Sequence, residues 1–109
     1  MLSQTTNNIS TTPVIVCTAK AGRSINVETL SVTNTLPTEV VVDFFDGLVP
    51  GTILATIPVP GGGGAGLEDT GTAGARKPCS DIRTTPGNAL YAACRTVGSC
   101  IANMRFGRL

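Results

Sequence analysis

Apolar and polar residues alternate with a period of two along most of the chain, and the apolar set is rich in β-branched side chains. That period puts successive side chains on opposite faces of an extended strand. Val14, Val16 and Thr18 alternate with Ile15 and Cys17 in a short first strand, and Lys20, Ala21, Gly22 and Arg23 then read as a turn. Residues 24–34 carry apolar side chains at Ile25 and Val27, then at Leu30 and Val32, so the phase flips from odd to even. A regular strand cannot keep all four on one face, and a bulge near Glu28 and Thr29 returns them to it. Residues 34–38 form a turn. Residues 39–45 are the strongest strand, with Val40, Val42 and Phe44 on one face and Val41, Asp43 and Phe45 on the other. Both faces are largely apolar, which predicts a central strand or one whose second face meets a partner. Asp46 and Gly47 close it with turn chemistry. In residues 52–59, Ile53, Ala55, Ile57 and Val59 fall on one face. Pro58 and Pro60 remove ladder donors and place this strand at a sheet edge.

A run of glycines broken by a single alanine occupies residues 61–66. It lacks the lysine and hydroxyl residue of a phosphate-binding loop. It is expected to open a long flexible Gly-rich loop over residues 61–80. Residues 81–83 read as a short strand and 84–88 as a turn. Residues 89–94 would suit one or two helical turns capped by Asn88. Their alternation, with Leu90, Ala92 and Cys94 on one face, suits a strand. The strand is preferred because residues 100–106 pair with it naturally across a five-residue loop. In that last segment Cys100, Ala102, Met104 and Phe106 share a face, opposite Asn103 and Arg105. Seven to eight short strands without a strong helix predict an all-β protein. Residues 14–109 are expected to form a single antiparallel β-sandwich or jelly-roll-like domain. Ahead of it, residues 1–13 are polar and read as an extended N-terminal arm, either frayed or reaching a neighbouring subunit.

Composition narrows the chemistry. The 109 residues suffice for one modest core. Histidine is absent, which removes a Ser-His or Cys-His base. Asp43 and Asp46 are close in sequence, but the turn accounts for Asp46 and they do not suggest an acid–base pair. The overall charge is +1, with no pull toward nucleic acid or membrane. Residues 1–75 hold two basic against six acidic side chains, and residues 76–109 hold six against one. That split is either intermixed by folding or leaves a protein with opposite poles. The aromatics Phe44, Phe45, Tyr91 and Phe106 are too few for a stacking platform, so direct nucleic-acid binding is not expected. No apolar run reaches the length of a membrane helix. No catalytic residue, cofactor, metal site or small-molecule substrate is expected. The first residues lack the basic and apolar regions of a signal peptide, so synthesis in a cytoplasm is expected.

Four cysteines occur, at 17, 79, 94 and 100, and none forms a C-x-x-C. Cys94 and Cys100 flank the five-residue loop and would face each other across two strands of a hairpin. Two readings stand for them: reduced buried thiols, or a cross-strand disulfide.

Four phrases taken in order carry a resemblance: residues 25–35 (INVETLSVTNT), 40–47 (VVVDFFDG), 54–60 (LATIPVP) and 84–94 (TTPGNALYAAC). They resemble small β-sandwich virion proteins of tailed bacteriophages, of the capsid decoration or cement type. The resemblance covers most of residues 14–106, with the glycine run and the extra cysteines outside it. It implies a structural virion protein on the outer capsid, made in the host cytoplasm, which stabilises the shell by bridging neighbouring major capsid subunits. It implies the major capsid protein and further copies of this chain, as a homodimer or homotrimer, as partners. Head–tail connector, tail or fibre roles, or a small protein- or carbohydrate-binding module, are the alternatives. On this reading the contacts fall on the arm (Thr5, Thr6, Asn7, Asn8, Ile9 and Pro13), on Arg105 and Arg108, and on an exposed Phe45 as an apolar anchor.

Overall fold

The computed structural model describes residues 2–47, 52–68 and 82–108. Eight strands form among them: β1 (Leu2–Ile9), β2 (Val14–Cys17), β3 (Ile25–Asn34), β4 (Val40–Asp46), β5 (Thr52–Val59), β6 (Gly64–Glu68), β7 (Leu90–Cys94) and β8 (Cys100–Arg108). They make two four-stranded antiparallel sheets, with orders β1-β8-β3-β6 and β2-β7-β4-β5. The pairs β1·β8, β2·β7, β3·β6 and β4·β5 are nested, as in one long hairpin rolled up on itself. That is the jelly roll. The core lies between the sheets, where Phe44, Leu30, Leu90, Val27, Val32, Val42, Val59 and Phe106 are buried.

The strand faces follow the alternation. In β3 the register with β8 slips between Val27 and Thr29, so Glu28 is the bulge residue. The slip keeps Ile25, Val27, Leu30 and Val32 all buried. In β8, Cys100, Ala102, Met104 and Phe106 point inward.

Five expectations need correction. The N-terminal arm is a strand: β1 pairs with β8 from Leu2 opposite Phe106 to Ile9 opposite Cys100. Ile9 is fully buried in the core. Second, residues 95–99 do not close a hairpin. They carry the chain from one sheet to the other, since β7 pairs with β2 and β4 while β8 pairs with β1 and β3. Third, the glycine run is ordered structure. Residues 61–63 turn and Gly64 begins β6, which pairs with β3. The rest of the expected loop, residues 69–80, lies outside the described residues. Fourth, residues 52–59 do not keep one face. The β4·β5 register slips between Phe44 and Phe45, so Phe44 meets Ala55 while Phe45 meets Ile53. Leu54 then packs against the core and Ile53 turns outward, half exposed. Fifth, the short strand expected at 81–83 is a single bridge, Asn26 to Arg83, with Ile82 buried beside it.

Candidate interaction surface

The two outer sheet faces differ in chemistry, and strand register decides which residues share them. In β2, β7 and β4 the core takes Val16, Ala92 and Phe44. Their neighbours Ile15, Tyr91 and Phe45 therefore face away from the core. Ile15 lies opposite Tyr91, Tyr91 opposite Phe45, and Phe45 opposite Ile53. One apolar row thus crosses all four strands, about 14 Å from end to end at the usual strand spacing. Its flanks are open to solvent: Ile15 is 46% and Ile53 50% exposed. Among the described side chains the outer face of the other sheet is mainly polar, with Ile101 half-buried on it opposite Thr33. There Thr5, Asn103 and Ser31 share a row, Thr5 Oγ1 hydrogen-bonds Asn103 Oδ1 at 2.8 Å, and Arg105 sits beside them between Ser3 and Thr29.

Next to the apolar row lies a closed polar cluster. Asp43 sits opposite Thr56 on β5 and Ala93 on β7. Its carboxylate accepts from Arg95 Nε at 2.8 Å, Arg95 Nη2 at 3.1 Å and Thr56 Oγ1 at 2.7 Å. Arg95 stays half exposed and covers Asp43, which is only 5% exposed although it points outward from the sheet. Burial alone would raise the Asp43 carboxyl. The hydrogen bonds from Arg95 and Thr56, with the Arg95 charge, outweigh it and hold the group below its ordinary value. Asp46 has a different task. It accepts from the Thr85 nitrogen and hydroxyl and from Asn88 Nδ2, pinning the turn that leads into β7. Those bonds overcome its burial and lower its carboxyl as well. The two carboxylates are therefore committed to separate structural roles.

The sign of the pH dependence follows. Both folded carboxyls lie below their unfolded values, so their stabilisation is present above about pH 4 and is lost as acid protonates them. Urea midpoints should fall between about pH 5 and pH 2.5, and Asp43→Asn should flatten part of that fall. A variant with the wild-type slope would remove Asp43 as a source of acid sensitivity.

Cys94 and Cys100 are free buried thiols, Cys17 is buried with its Sγ 3.2 Å from Met104 Sδ, and Cys79 lies outside the described residues. Cys94 and Cys100 are in hydrogen-bond contact, but across the two sheets, since one ends β7 and the other begins β8. Burial first, and then Cys100, push the Cys94 thiol up to about 12. Cys94 Sγ also donates to the Ile9 carbonyl at 3.2 Å. Of the two readings from sequence, the structure has the reduced pair.

The expected contact residues do not converge on one patch. Thr5 is exposed and Thr6 half-buried on β1. Ile9 is core, and Pro13 is half-buried in the link to β2. Asn7 and Asn8 belong to β1, and Arg108 lies at the end of β8 opposite Ile25, their side chains outside the described residues. Arg105 is exposed on the polar sheet, and Phe45 alone lies on the apolar one, where it is half-buried rather than exposed as expected. Its companions Ile15, Tyr91 and Ile53 escape a strand-by-strand reading, because only register brings them into one row. Among the described residues, the basic last third of the chain meets the acidic part: Arg95 pairs with Asp43, and β8 lies between β1 and β3.

No family model and no curated protein matches the sequence. Among solved structures, one from Bacillus endospore appendages, described as a novel family of disulfide-linked pili, is similar in fold, with a TM-score of 0.50 and 14% identity. The match covers 94% of this chain and 85% of that one. At that identity the likeness speaks to the fold alone.

Proposed function

We propose that the chain is a structural subunit of a repetitive assembly, and specifically a phage capsid-decorating protein that bridges neighbouring major capsid subunits on the outer shell. The sidedness of the sandwich carries this reading. One outer face presents an apolar row, Ile15, Tyr91, Phe45 and Ile53, and the other presents Thr5, Asn103, Ser31 and Arg105. A subunit of a repetitive assembly needs one face that adheres, to a neighbouring copy or to another subunit, and one that stays wet. Two packed sheets make a stiff tile, and repetition over a lattice multiplies weak contacts. The sequence resemblance to decoration proteins supports the capsid location. The fold likeness to an endospore appendage protein favours a second reading, a subunit of a filamentous surface appendage.

Electron microscopy of particles from the source separates them. Many copies on the outer shell, each spanning adjacent capsid subunits, is the expected result. A few copies at a vertex or on a tail would replace it with a connector or tail role. Copies along a filament would establish the appendage reading. Absence from every particle and filament would overturn the structural role itself.

A further inference from the structure

The apolar row has an internal order. Across β2, β7, β4 and β5 it reads aliphatic, aromatic, aromatic, aliphatic: Ile15, Tyr91, Phe45, Ile53. That order is the same in either direction. Turn a second copy over about a two-fold axis and lay its row on the first. Aromatic side chains then meet aromatic ones and isoleucines meet isoleucines, whether the axis runs along the strands or along the row. Self-complementarity of this kind is what an isologous interface requires. Paired aromatics add to the area they bury.

Charge points the same way. The ion pair beside the row is closed within one chain: Arg95 and Thr56 occupy the Asp43 carboxylate, which is buried beneath them. A partner bearing a charged patch would find no uncompensated charge there to match. A second copy brings an equally neutral face, and no like charges are forced together. The row is also too open to serve as core for its own chain, since both flanking isoleucines are about half exposed. Two such faces would stack about 10 Å apart, as inner sheet faces do.

We infer that the outer face of the β2-β7-β4-β5 sheet pairs with the same face of a second copy of this chain, forming a two-fold homodimer. The inference stands on this face and does not depend on which assembly the protein enters.

Sedimentation equilibrium of the full chain over roughly 1–200 μM tests it. The wild type should sediment at twice its 11.1 kDa chain mass. Ile53→Asp and Ile15→Lys, made separately, should each weaken the dimer at least about 30-fold by burying a charge at the rim of the row. Both positions are solvent-exposed on strands at the sheet edges, so each variant should keep its β-sheet circular dichroism and its thermal midpoint to within a few degrees. Ser31→Asp, exposed on the opposite sheet, should leave the dimer intact. A wild type that stays monomeric throughout would overturn the inference. So would a dimer broken by Ser31→Asp but not by the two isoleucine variants. So would a monomer whose apolar face is instead occupied by a shell subunit in reconstructed particles, an outcome that would leave the structural role standing.

Discussion

Deleting residues 1–10 should destabilise the whole domain rather than trim a tether. β8 would lose its β1 ladder and become a sheet edge. The buried socket of Ile9 would empty, exposing Cys100, which it faces. Two bonds that tie β7 to this segment would go as well, Cys94 nitrogen to the Ser10 carbonyl at 2.7 Å and Cys94 Sγ to the Ile9 carbonyl. Emptying the Ile9 site alone should cost about 2–4 kcal/mol, a large share of the ~5–15 kcal/mol that holds a domain of this size. Thermal unfolding should therefore show Ile9→Ala melting about 10–25 °C below the wild type. The deletion should be lower still, with aggregation through the bared β8 edge. A deletion variant with an unchanged midpoint would return residues 2–9 to the status of a loosely docked strap.

Why that segment reads as an arm is physical. Its residues between Leu2 and Ile9 are all polar, and a strand covering a sheet edge with solvent on its outer side needs little apolar content. Its evidence lies 98 residues away, where Thr5 meets Asn103. The jelly roll repeats this difficulty throughout. Three of the four nested pairs join distant segments, and among the described strands only β4·β5 is a consecutive pair in ladder contact. What depends on a single strand was legible: the inward faces of β7 and β8, the bulge at Glu28, and Asp43 turned away from Val42 and Phe44. What depends on register was not. The Phe44 to Phe45 slip that turns Ile53 outward needs the partner strand, and so does the row it completes. Arg95 looks like loop charge until β7 lies beside β4 and sets it over Asp43. Phe45 stands out as an outward apolar side chain because both faces of its own strand are apolar, a property visible without any partner.

The glycine run is the sharpest case, and it yields a graded prediction. Asn34, buried at the end of β3, organises the corner where β5 leads into β6. Its amide donates to the Thr38 carbonyl at 2.7 Å, its side-chain oxygen accepts from the Leu36 nitrogen at 3.0 Å, and its backbone nitrogen donates to the Gly63 carbonyl at 2.8 Å. The Gly62 nitrogen donates to the Leu36 carbonyl at 2.7 Å, so segments 36–38 and 61–63 lie backbone against backbone. A Cβ on Gly61 would overlap the Pro37 carbonyl and come within 2.9 Å of the Thr38 nitrogen. Neither is the tip of a flexible side chain, so the backbone must move. Gly61→Ala should cost about 3 kcal/mol, the upper end for forcing atoms into filled space. Gly62 has open space around it but a φ of +65°, so Gly62→Ala should cost about 1–2 kcal/mol from conformation alone. At Gly63 the added Cβ meets only ordinary contacts with Pro60, the nearest at 3.6 Å, and φ is not positive. Gly63→Ala should be neutral or gain about 0.5 kcal/mol by restricting the unfolded chain. Urea unfolding of the three variants measures the order directly. If these residues form a corner built on close backbone approach, position 61 suffers most and position 63 least. Three small and equal effects are what a flexible linker would give, since a linker has no neighbour for a methyl group to strike.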